Sequence, residues 1–563
     1  MKLFNIKKLG LIATTAVALL TGCKTDFDIN ASEENLSAGS LNYRDVLPSS
    51  IASSAKIVAA DWKFLQNWMG YWARSGNYQN DNEEETYNFT NTFPTSGGNP
   101  WNDLYYNASS YNYIQEKAKA SGDGFYEAIC RIMKTQNFQL LTDVYGNIPY
   151  FQALKGNDVR NPKYDNGKDI YKDLFLQLDT AIALLKSPAA AASANSKIAT
   201  NDLVFKGNAT LWIKFANTLK LRMVIHCQNG IETPTSVSGI DYAAIMSGIN
   251  AEGTGFLNSG ETAKINPGFS ASKPTPFYRF FAINENGVLA GLADLTKANA
   301  FAVGIGTATR PGYYRYNADP RESKFYVRPD VNASASVYTA RQYHKGIPYG
   351  AVSGFAPGYG GDSLSAINQI NATSPNTGLT PNGASSDAWL MTSVESLFLQ
   401  AEAAQRGLLP GVDPQTALTA AIRESFISLG LTAANANTYI NGNAGYADVD
   451  YTAVGDPTTD NLVDGGLYTI IAQKWFALNG IAPFEVWSDY RRTDIVYGEG
   501  VSYNSVNNPA YFWATNLSVL SGAASSIPVR LFYPQSEYSF NEANVNTQGT
   551  ISVFTSKVFW DLQ

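Results

Sequence analysis

Two regions with helical hydrophobic spacing flank a long irregular segment, and this alternation limits the folds that the chain can adopt. Before the irregular segment, apolar residues recur every three or four positions within 125–145 and 208–227, which is the spacing of amphipathic helices. After it, the same spacing runs through 392–407 and 413–429. Residues 230–386 between them are rich in Gly, Pro, Asn, Ser and Thr, which is typical of loops. Since irregular segments build no deep core of their own, we expect this one to lie over a helical scaffold.

The helices after the irregular segment are predicted to form close pairs. Thr392 and Glu395 have the spacing of a capping box that begins one helix, and Asp413 followed by proline begins the next. A second pair is predicted at 467–478 and 483–492. Two-helix units of about 35 residues are typical of tetratricopeptide-like repeats. The predicted fold class is therefore mainly α, with tetratricopeptide-like helix pairs packed against an irregular, loop-rich half.

The N-terminus has the profile of a lipoprotein signal peptide. Basic residues precede an apolar run from Leu9 to Leu20, and this run is shorter than the roughly 20 residues that a membrane-spanning helix needs. Leu20-Thr21-Gly22-Cys23 resembles the bacterial lipobox, in which the cysteine is lipidated and becomes the first residue of the mature protein. We therefore expect residues 1–22 to be removed, Cys23 to carry the lipid and residues 23–40 to form a polar tether.

The composition is that of a globular chain with an excess of aromatic residues. Of 563 residues, 45% are hydrophobic and 16% are charged, which excludes a disordered chain and a coiled coil. The formal net charge is −7, so nucleic acid is not an expected partner, because it requires a basic surface. Aromatic residues reach 13%, and such rings either fill a core or stack on sugars and peptides.

Several separated segments resemble the SusD/RagB family of nutrient-binding outer-membrane lipoproteins. They are the lipobox, Trp101 to Tyr105, Thr142 to Tyr150, the helix with Glu395 and Glu402, Trp487 to Arg492, Ile527 to Pro534, and Phe559-Trp560-Asp561. The resemblance implies one body over residues 41–563, with its ligand side at about 230–386. It also implies a lipid-anchored outer-membrane protein at the cell surface. The implied partner is a SusC-like TonB-dependent outer-membrane transporter, over which the protein closes as a lid.

The predicted ligand is an oligosaccharide nutrient, with a peptide as the alternative for the same lid. Extended aromatic content suits stacking on sugars, while the acidic composition favours neither ligand. A surface glycoside hydrolase, which would need two carboxylates at a defined separation, and a structural adhesin built of repeated strands are less favoured. We predict no catalytic residue, no cofactor and no metal site, since the sequence lacks a His-Glu-x-x-His helix, a nucleophile elbow and a phosphate-binding loop.

Two polar stretches with scattered aromatic residues, 74–102 and 313–349, form the predicted recognition surface. The candidate ligand-binding residues are Arg74, Tyr78, Trp101, Asn102, Tyr313, Tyr316 and Tyr343. The tyrosine and tryptophan rings offer stacking faces, while Arg74 and Asn102 offer directional hydrogen bonds. Trp101 also begins an apolar helix, so a place in the core is an equal alternative for it. The acidic run from Asp81 to Glu85 is predicted to be a solvated loop.

The histidines and the remaining cysteines have structural interpretations. His226 lies on an apolar helix face and is interpreted as a core histidine, whereas His344 lies in the irregular segment, where it could touch a ligand but has no evident partner. Cys130 and Cys227 lie in helical segments and are interpreted as buried thiols. An oxidised pair between them stays open, because the sequence does not give the distance between their Cα atoms.

Overall fold

The structure is a computed structural model that describes most of the chain after residue 41. The described residues are 42–75, 83–87, 99–187, 197–231, 235–266, 268–307, 310–311, 318–328, 344–351, 364–367, 378–453, 465–493, 517–520 and 526–563. Cys23, Tyr78, Tyr313, Tyr316 and Tyr343 therefore lie outside the described residues.

Helices dominate the described residues, and this confirms the predicted fold class. The α-helices are α1 (Tyr43–Lys56), α2 (Lys63–Trp68), α3 (Glu83–Thr86), α4 (Pro100–Ala120), α5 (Gly124–Tyr145), α6 (Gly167–Lys186), α7 (Ile198–Asn201), α8 (Ala209–His226), α9 (Tyr242–Glu252), α10 (Pro276–Phe281), α11 (Gly291–Leu295), α12 (Ala300–Val303), α13 (Glu322–Phe325), α14 (Ser393–Gln405), α15 (Pro414–Ser428), α16 (Ala433–Gly442), α17 (Gly465–Leu478), α18 (Pro483–Thr493), α19 (Gln535–Phe540) and α20 (Glu542–Val545). A π-helix, Ile57–Asp61, continues α1, and short 3₁₀ turns lie at Gly156–Asp158, Gly383–Ser385 and Asn546–Gln548.

The described strands are short and form two-stranded antiparallel pairs. They are β1 (Trp72–Arg74), β2 (Ile148–Pro149), β3 (Tyr164–Asp165), β4 (Gln228–Asn229), β5 (Thr235–Ser236), β6 (Ala263–Ile265), β7 (Thr296–Ala298), β8 (Gly304–Thr307), β9 (Arg310–Pro311) and β10 (Ala388–Met391). β1 pairs with β7, β2 with β3, β4 with β5, β6 with β10 and β8 with β9. Strands β5 to β9 and helices α9 to α13 lie within 230–386. Buried residues of that segment, such as Phe277, Phe281 and Phe301, belong to the same core as the long helices.

The long helices pack in sequence into one helical layer. α4 packs against α5, α5 against α6, and α6 against α8; α8 then contacts α14, which packs against α15 and α17. The pairs α4–α5 and α14–α15 are joined by short turns, as expected for tetratricopeptide-like units. Apolar side chains from all of these helices belong to one buried cluster, so the layer shares a continuous core.

Local signals set the helix ends closely but not completely. α5 stops at Gly146, whose φ of +76° is a left-handed conformation that favours glycine, and α15 begins with Asp413 accepting a hydrogen bond from the Thr416 N–H. The capping box at α14 forms only in part. The Thr392 hydroxyl accepts from the Glu395 N–H at 3.2 Å, but the Glu395 carboxylate accepts from Arg222 at 2.9 Å. The Glu395 carboxylate is therefore bound by the buried Arg222 guanidinium rather than by the Thr392 backbone N–H.

The turn between α17 and α18 allows no side chain at Gly480. Its φ is +72°, and a Cβ there would lie 2.5 Å from the Leu379 Cδ1 atom. Glycine at position 480 therefore permits both the positive φ of the turn and the close approach of the 378–386 segment.

Asp143 is the centre of a buried hydrogen-bond cluster, and it lies in one of the segments that resemble the family. Its carboxylate accepts hydrogen bonds from Tyr171 Oη at 2.5 Å, Trp560 Nε1 at 2.6 Å and Gln139 Nε2 at 2.6 Å. His226 Nδ1 lies 2.9 Å from the same carboxylate. Asp143 and His226 are both 0% exposed, and a buried carboxylate requires such partners. The cluster therefore ties α5, α6 and α8 to the C-terminal segment.

Arg491 joins three further family-like segments to this cluster. Its guanidinium carbon lies 3.6 Å from the centre of the Trp487 ring and 4.5 Å from that of Trp560. Its Nη1 donates to the carbonyl oxygens of Asp143 at 2.5 Å and of Val529 at 3.2 Å. The residues that carry much of the resemblance are thus buried together, and their role in this chain is to hold the fold.

A second buried network links α14, α17 and α18. Arg492 donates to both carboxylate oxygens of Glu402 at 2.6 Å and to Asp489 at 2.6 Å. Lys474 lies 3.1 Å from Asp489 and 3.4 Å from Glu485. All of these side chains are at most 4% exposed. The helical layer therefore contains paired charges as well as apolar contacts.

The interpretations of His226, Cys130 and Cys227 are confirmed. His226 also lies 3.1 Å from Glu485; burial opposes its charged form, but Glu485 and Asp143 outweigh burial and raise the pKa of His226. Cys130 and Cys227 are buried free thiols, and burial raises the pKa of each thiol. Among the described helices, none is long and apolar enough to cross a membrane.

Candidate functional site

The two predicted recognition stretches meet at strand pair β1–β7. Trp72, Ala73 and Arg74 pair with Ala298, Lys297 and Thr296 respectively. The same β7 strand also receives the second stretch, because the Ile347 N–H donates to the Ala298 carbonyl at 3.0 Å. β7 thus lies between the start of 74–102 and the end of 313–349.

Residues 517–520 join the two stretches a second time. The Ser518 N–H donates to the Tyr87 hydroxyl at 3.1 Å, and the Val519 N–H donates to the Tyr349 carbonyl at 2.9 Å. A Cβ atom on Gly350 would clash with the Ser518 Oγ atom, so glycine permits this approach. The site is therefore built from segments that lie far apart in the sequence.

Arg74 lies at this site beside a buried acidic pair. Its guanidinium Nη1 is 3.6 Å from Glu85 Oε2, and its side chain is 21% exposed while that of Glu85 is 0% exposed. Glu84 is 4% exposed, so the prediction of a solvated acidic loop is wrong for both glutamates. The reason is that Arg74 and the buried Lys63 place positive charge beside them; burial lowers the pKa of Lys63, and Glu84 opposes that change.

Trp101 belongs to the core rather than to an open binding surface. Its side chain is 4% exposed, and its ring centre lies 4.9 Å from that of Tyr145 and 5.9 Å from that of Tyr533, both edge to face. The prediction of an available stacking face is therefore wrong, and the alternative of a core residue is correct. Asn102 is half-buried in the first turn of α4, where its backbone N–H donates to the Asn99 side chain at 3.2 Å.

His344 is buried beside the β1–β7 strand pair. It is 3% exposed, its Nδ1 lies 3.3 Å from Glu322 Oε2, and its Nε2 lies 3.2 Å from the Tyr326 carbonyl. The Tyr326 hydroxyl donates in turn to the Tyr71 carbonyl at 3.0 Å. The sequence alone did not show these partners, which place His344 in the packing behind β1. Within the described part of the chain, no group of three or more His, Cys, Asp or Glu residues is arranged to hold a metal ion.

A layer of helix pairs packed against an irregular, loop-rich half defines the fold class of this protein. The chain belongs to the SusD/RagB family: a SusD-like family model described as "Starch-binding associating with outer membrane" matches residues 46–508. The family relation is thus established over most of the chain, and it agrees with the helical fold.

Solved structures show the same fold. A chitin-binding SusD homologue from Flavobacterium johnsoniae is 22% identical, with 93% of this chain and 99% of that chain covered and a TM-score of 0.64. A SusD-like protein from Bacteroides thetaiotaomicron is 22% identical, with coverage of 92% and 99% and a TM-score of 0.61. A SusD homologue from Bacteroides ovatus is 19% identical, with coverage of 93% and 100% and a TM-score of 0.66. Comparison with curated proteins gives no match.

Proposed function

We propose that this protein captures an oligosaccharide at the cell surface and acts as a lid for a SusC-like TonB-dependent outer-membrane transporter. The observation that carries the proposal is the meeting of stretches 74–102 and 313–349 at β7, since loops held on a rigid scaffold are the usual place for recognition. The family description and the chitin-binding relative support a glycan as the ligand. A peptide is the second candidate, because guanidinium and amide groups also recognise peptide groups.

The proposed chemistry is non-catalytic binding of sugar hydroxyls and ring faces. Arg74 is partly exposed and oriented by Glu85, so its donors are held in place before a ligand arrives. Asn102 adds an amide that both donates and accepts. Tyr78, Tyr313, Tyr316 and Tyr343 stay proposed stacking residues of the same surface.

Loss of a stacking ring is expected to weaken binding severalfold. Calorimetric titration with chitin- and starch-derived oligosaccharides should show this for Tyr78→Ala and Tyr313→Ala, because one aromatic contact contributes about 0.5–1.5 kcal/mol beyond area burial. Tyr106→Ala, at a tyrosine of α4 that is 71% exposed, is the matched control and should bind as the wild type does. Unchanged affinity in both test variants with folding intact would place the ligand elsewhere, and release of shortened sugars would contradict the binding-only proposal.

The proposed membrane attachment is through lipid on Cys23, after removal of residues 1–22, with 23–40 as the tether to the body at 41–563. Two or more acyl chains give stable anchoring, at about 0.8 kcal/mol per buried CH₂ group. Cys23→Ala should therefore leave the membrane fraction when no transporter is present. Cys130→Ala changes a buried cysteine of α5 and should stay with the membrane. Full retention of Cys23→Ala in that fraction would argue against the anchor.

A further inference from the structure

A cavity of about 640 Å³ opens between α4, α5, α6 and the loop that follows β2. This volume lies within the roughly 300–1,000 Å³ of small-molecule sites. Gln115 and Asn112 line it from the second half of α4. Gln115 is roughly 20 Å along the helix axis from Asn102, at 1.5 Å per residue. The cavity is thus separate from the site proposed for the glycan.

Two buried polar atoms of the cavity lining lack hydrogen-bond partners among the described residues. They are Gln115 Oε1 and Thr135 Oγ1, on side chains that are 6% and 1% exposed. A buried polar group without a partner costs about 1–3 kcal/mol. Neither atom is accessible from the cavity in the free protein, so both side chains must turn before hydroxyl or carboxylate groups of a bound molecule can satisfy them. The threonine hydroxyl then donates or accepts, and the amide offers either its oxygen or its nitrogen.

Lys134 gives the cavity a positive charge that is not neutralised by direct contact. Its Nζ donates to Asn112 Oδ1 at 2.7 Å, and it forms no salt bridge within the part of the chain that the structure describes. Arg131, one turn earlier on α5, is instead paired with Glu127 at 2.7 Å and donates to Gln177. Burial lowers the pKa of Lys134 to about 8. Glu116 and Asp173 lie near Lys134 without a salt bridge to it, so a ligand carboxylate at Nζ would supply a directly bonded counter-charge.

The cavity also has an aromatic wall, formed by Phe138 of α5 and by Tyr150 and Phe151 after β2. The Phe138 and Tyr150 ring centres are 4.8 Å apart, and those of Tyr150 and Phe151 are 4.9 Å apart, both edge to face. The Tyr150 hydroxyl donates to Asp173 at 2.6 Å, which fixes its ring. Phe151 is 49% exposed, so a ring face lies at the mouth of the cavity, where it can cover the CH face of a sugar.

We propose that this cavity binds a small sugar acid, with the carboxylate on Lys134 and Thr135 and the sugar ring against the aromatic wall. A hydroxylated ring with one carboxylate matches the lining: the buried cation Lys134 and the exposed Lys155, neither in a salt bridge among the described residues, together with several amides and aromatic rings. This second ligand site is independent of both the glycan capture and the lid role.

Titration with glucuronate and with glucose at pH 7 tests the proposal. We expect glucuronate to bind at least about tenfold more tightly than glucose, a difference of about 1.4 kcal/mol. Lys134→Met should abolish this preference, and the isosteric Thr135→Val should weaken glucuronate binding severalfold. Lys119→Met, at an exposed lysine of α4, is the matched control and should behave as the wild type.

The pH dependence of glucuronate affinity tests whether the charge of Lys134 binds the ligand, because a purely structural role of Lys134 would not change that dependence. Other charged or titratable groups near Lys134 are Glu116 on α4, Cys130 and Arg131 on α5, Asp173 on α6, and Lys155 and Asp158 in the loop. Because Lys134 loses its proton with a pKa of about 8, raising the pH from 7 to 9 should weaken glucuronate binding severalfold in the wild type. Lys134→Met should show no such dependence.

Several outcomes would overturn the proposal. They are equal affinity for glucuronate and glucose, no glucuronate binding at millimolar concentrations, and binding that is unchanged in folded Lys134→Met and in Thr135→Val. Tyr78→Ala and Tyr313→Ala should leave glucuronate binding intact. If these variants lose it instead, the acid binds at the glycan site, and the cavity proposal fails while the proposed capture function stands.

Discussion

Replacing Asp143 with alanine is expected to lower the free energy of unfolding by about 5 kcal/mol. Removal of one member of a buried charged cluster typically costs about 3–5 kcal/mol, and each buried donor left without an acceptor costs about 1–3 kcal/mol. Tyr171, Trp560 and Gln139 would all lose their acceptor, and His226 would lose one of its two carboxylate partners. Because whole domains are stable by only about 5–15 kcal/mol, the variant should unfold at a much lower urea concentration.

Two further variants separate the charge from the volume of this side chain. Asp143→Asn keeps the size but not the charge and should cost less than alanine, yet more than about 1 kcal/mol, because its NH₂ group faces donors. Asp169→Ala, at an aspartate of α6 whose side chain is 59% exposed, should stay within about 1 kcal/mol of the wild type. If Asp143→Ala unfolds at the same urea concentration as Asp169→Ala, the hydrogen bonds at Asp143 do not stabilise the core.

Protonation of Glu402 is expected to remove about 3 kcal/mol of stability in acid. Burial opposes its ionisation, but Arg492 and Arg406 outweigh burial and lower the pKa of Glu402 from 4.5 to about 2. Between these values the unfolded chain binds more protons than the folded one, so stability falls as the pH falls. The contribution is fully present above about pH 5 and is lost toward pH 2, at about 1.4 kcal/mol for each unit of pKa difference.

Urea unfolding at pH 7, 5, 4 and 3 measures this contribution. Glu402→Gln should be less stable than the wild type at pH 7, because Arg492 and Arg406 lose their charged partner. The difference between the two proteins should shrink toward pH 3. Glu542→Gln, at an exposed carboxyl of α20, should follow the wild type throughout within about 0.5 kcal/mol. A difference that stays constant with pH would show that the Glu402 charge does not stabilise the fold.

Several of the long helices could be predicted from the sequence because their signals are local, although α6 (Gly167–Lys186) was not predicted. α5 was expected at 125–145 and is observed at Gly124–Tyr145, since both its apolar spacing and the glycine that ends it lie within one segment. The same holds for Asp413 at the start of α15. Helix α9 inside 230–386 was missed, because only Met246 and Ile249 are buried along it and they give a weak periodic signal.

The contacts that join stretches 74–102 and 313–349 could not be predicted from the sequence, because they are not local. That the two stretches belong together followed from their composition, but β7 and residues 517–520, which join them, have no distinguishing pattern. Glu85 was expected in solvent because its partner Arg74 is visible only in three dimensions. The sequence left the core and the ligand-binding roles of Trp101 open for the same reason. Trp101 packs against Tyr533, which lies more than four hundred positions further along the chain.

The hydrogen bonds of Asp143 also bear on the order in which the protein can fold. Trp560 lies 417 positions after Asp143, and Arg491 lies 348 positions after it. A chain that emerges from the ribosome or from a translocation channel with its N-terminus first therefore presents α5 long before these partners exist. Until Trp560 follows, the carboxylate of Asp143 lacks one of its hydrogen-bond donors. The hydrogen bonds of this buried cluster can therefore be completed only after the C-terminal segment is available.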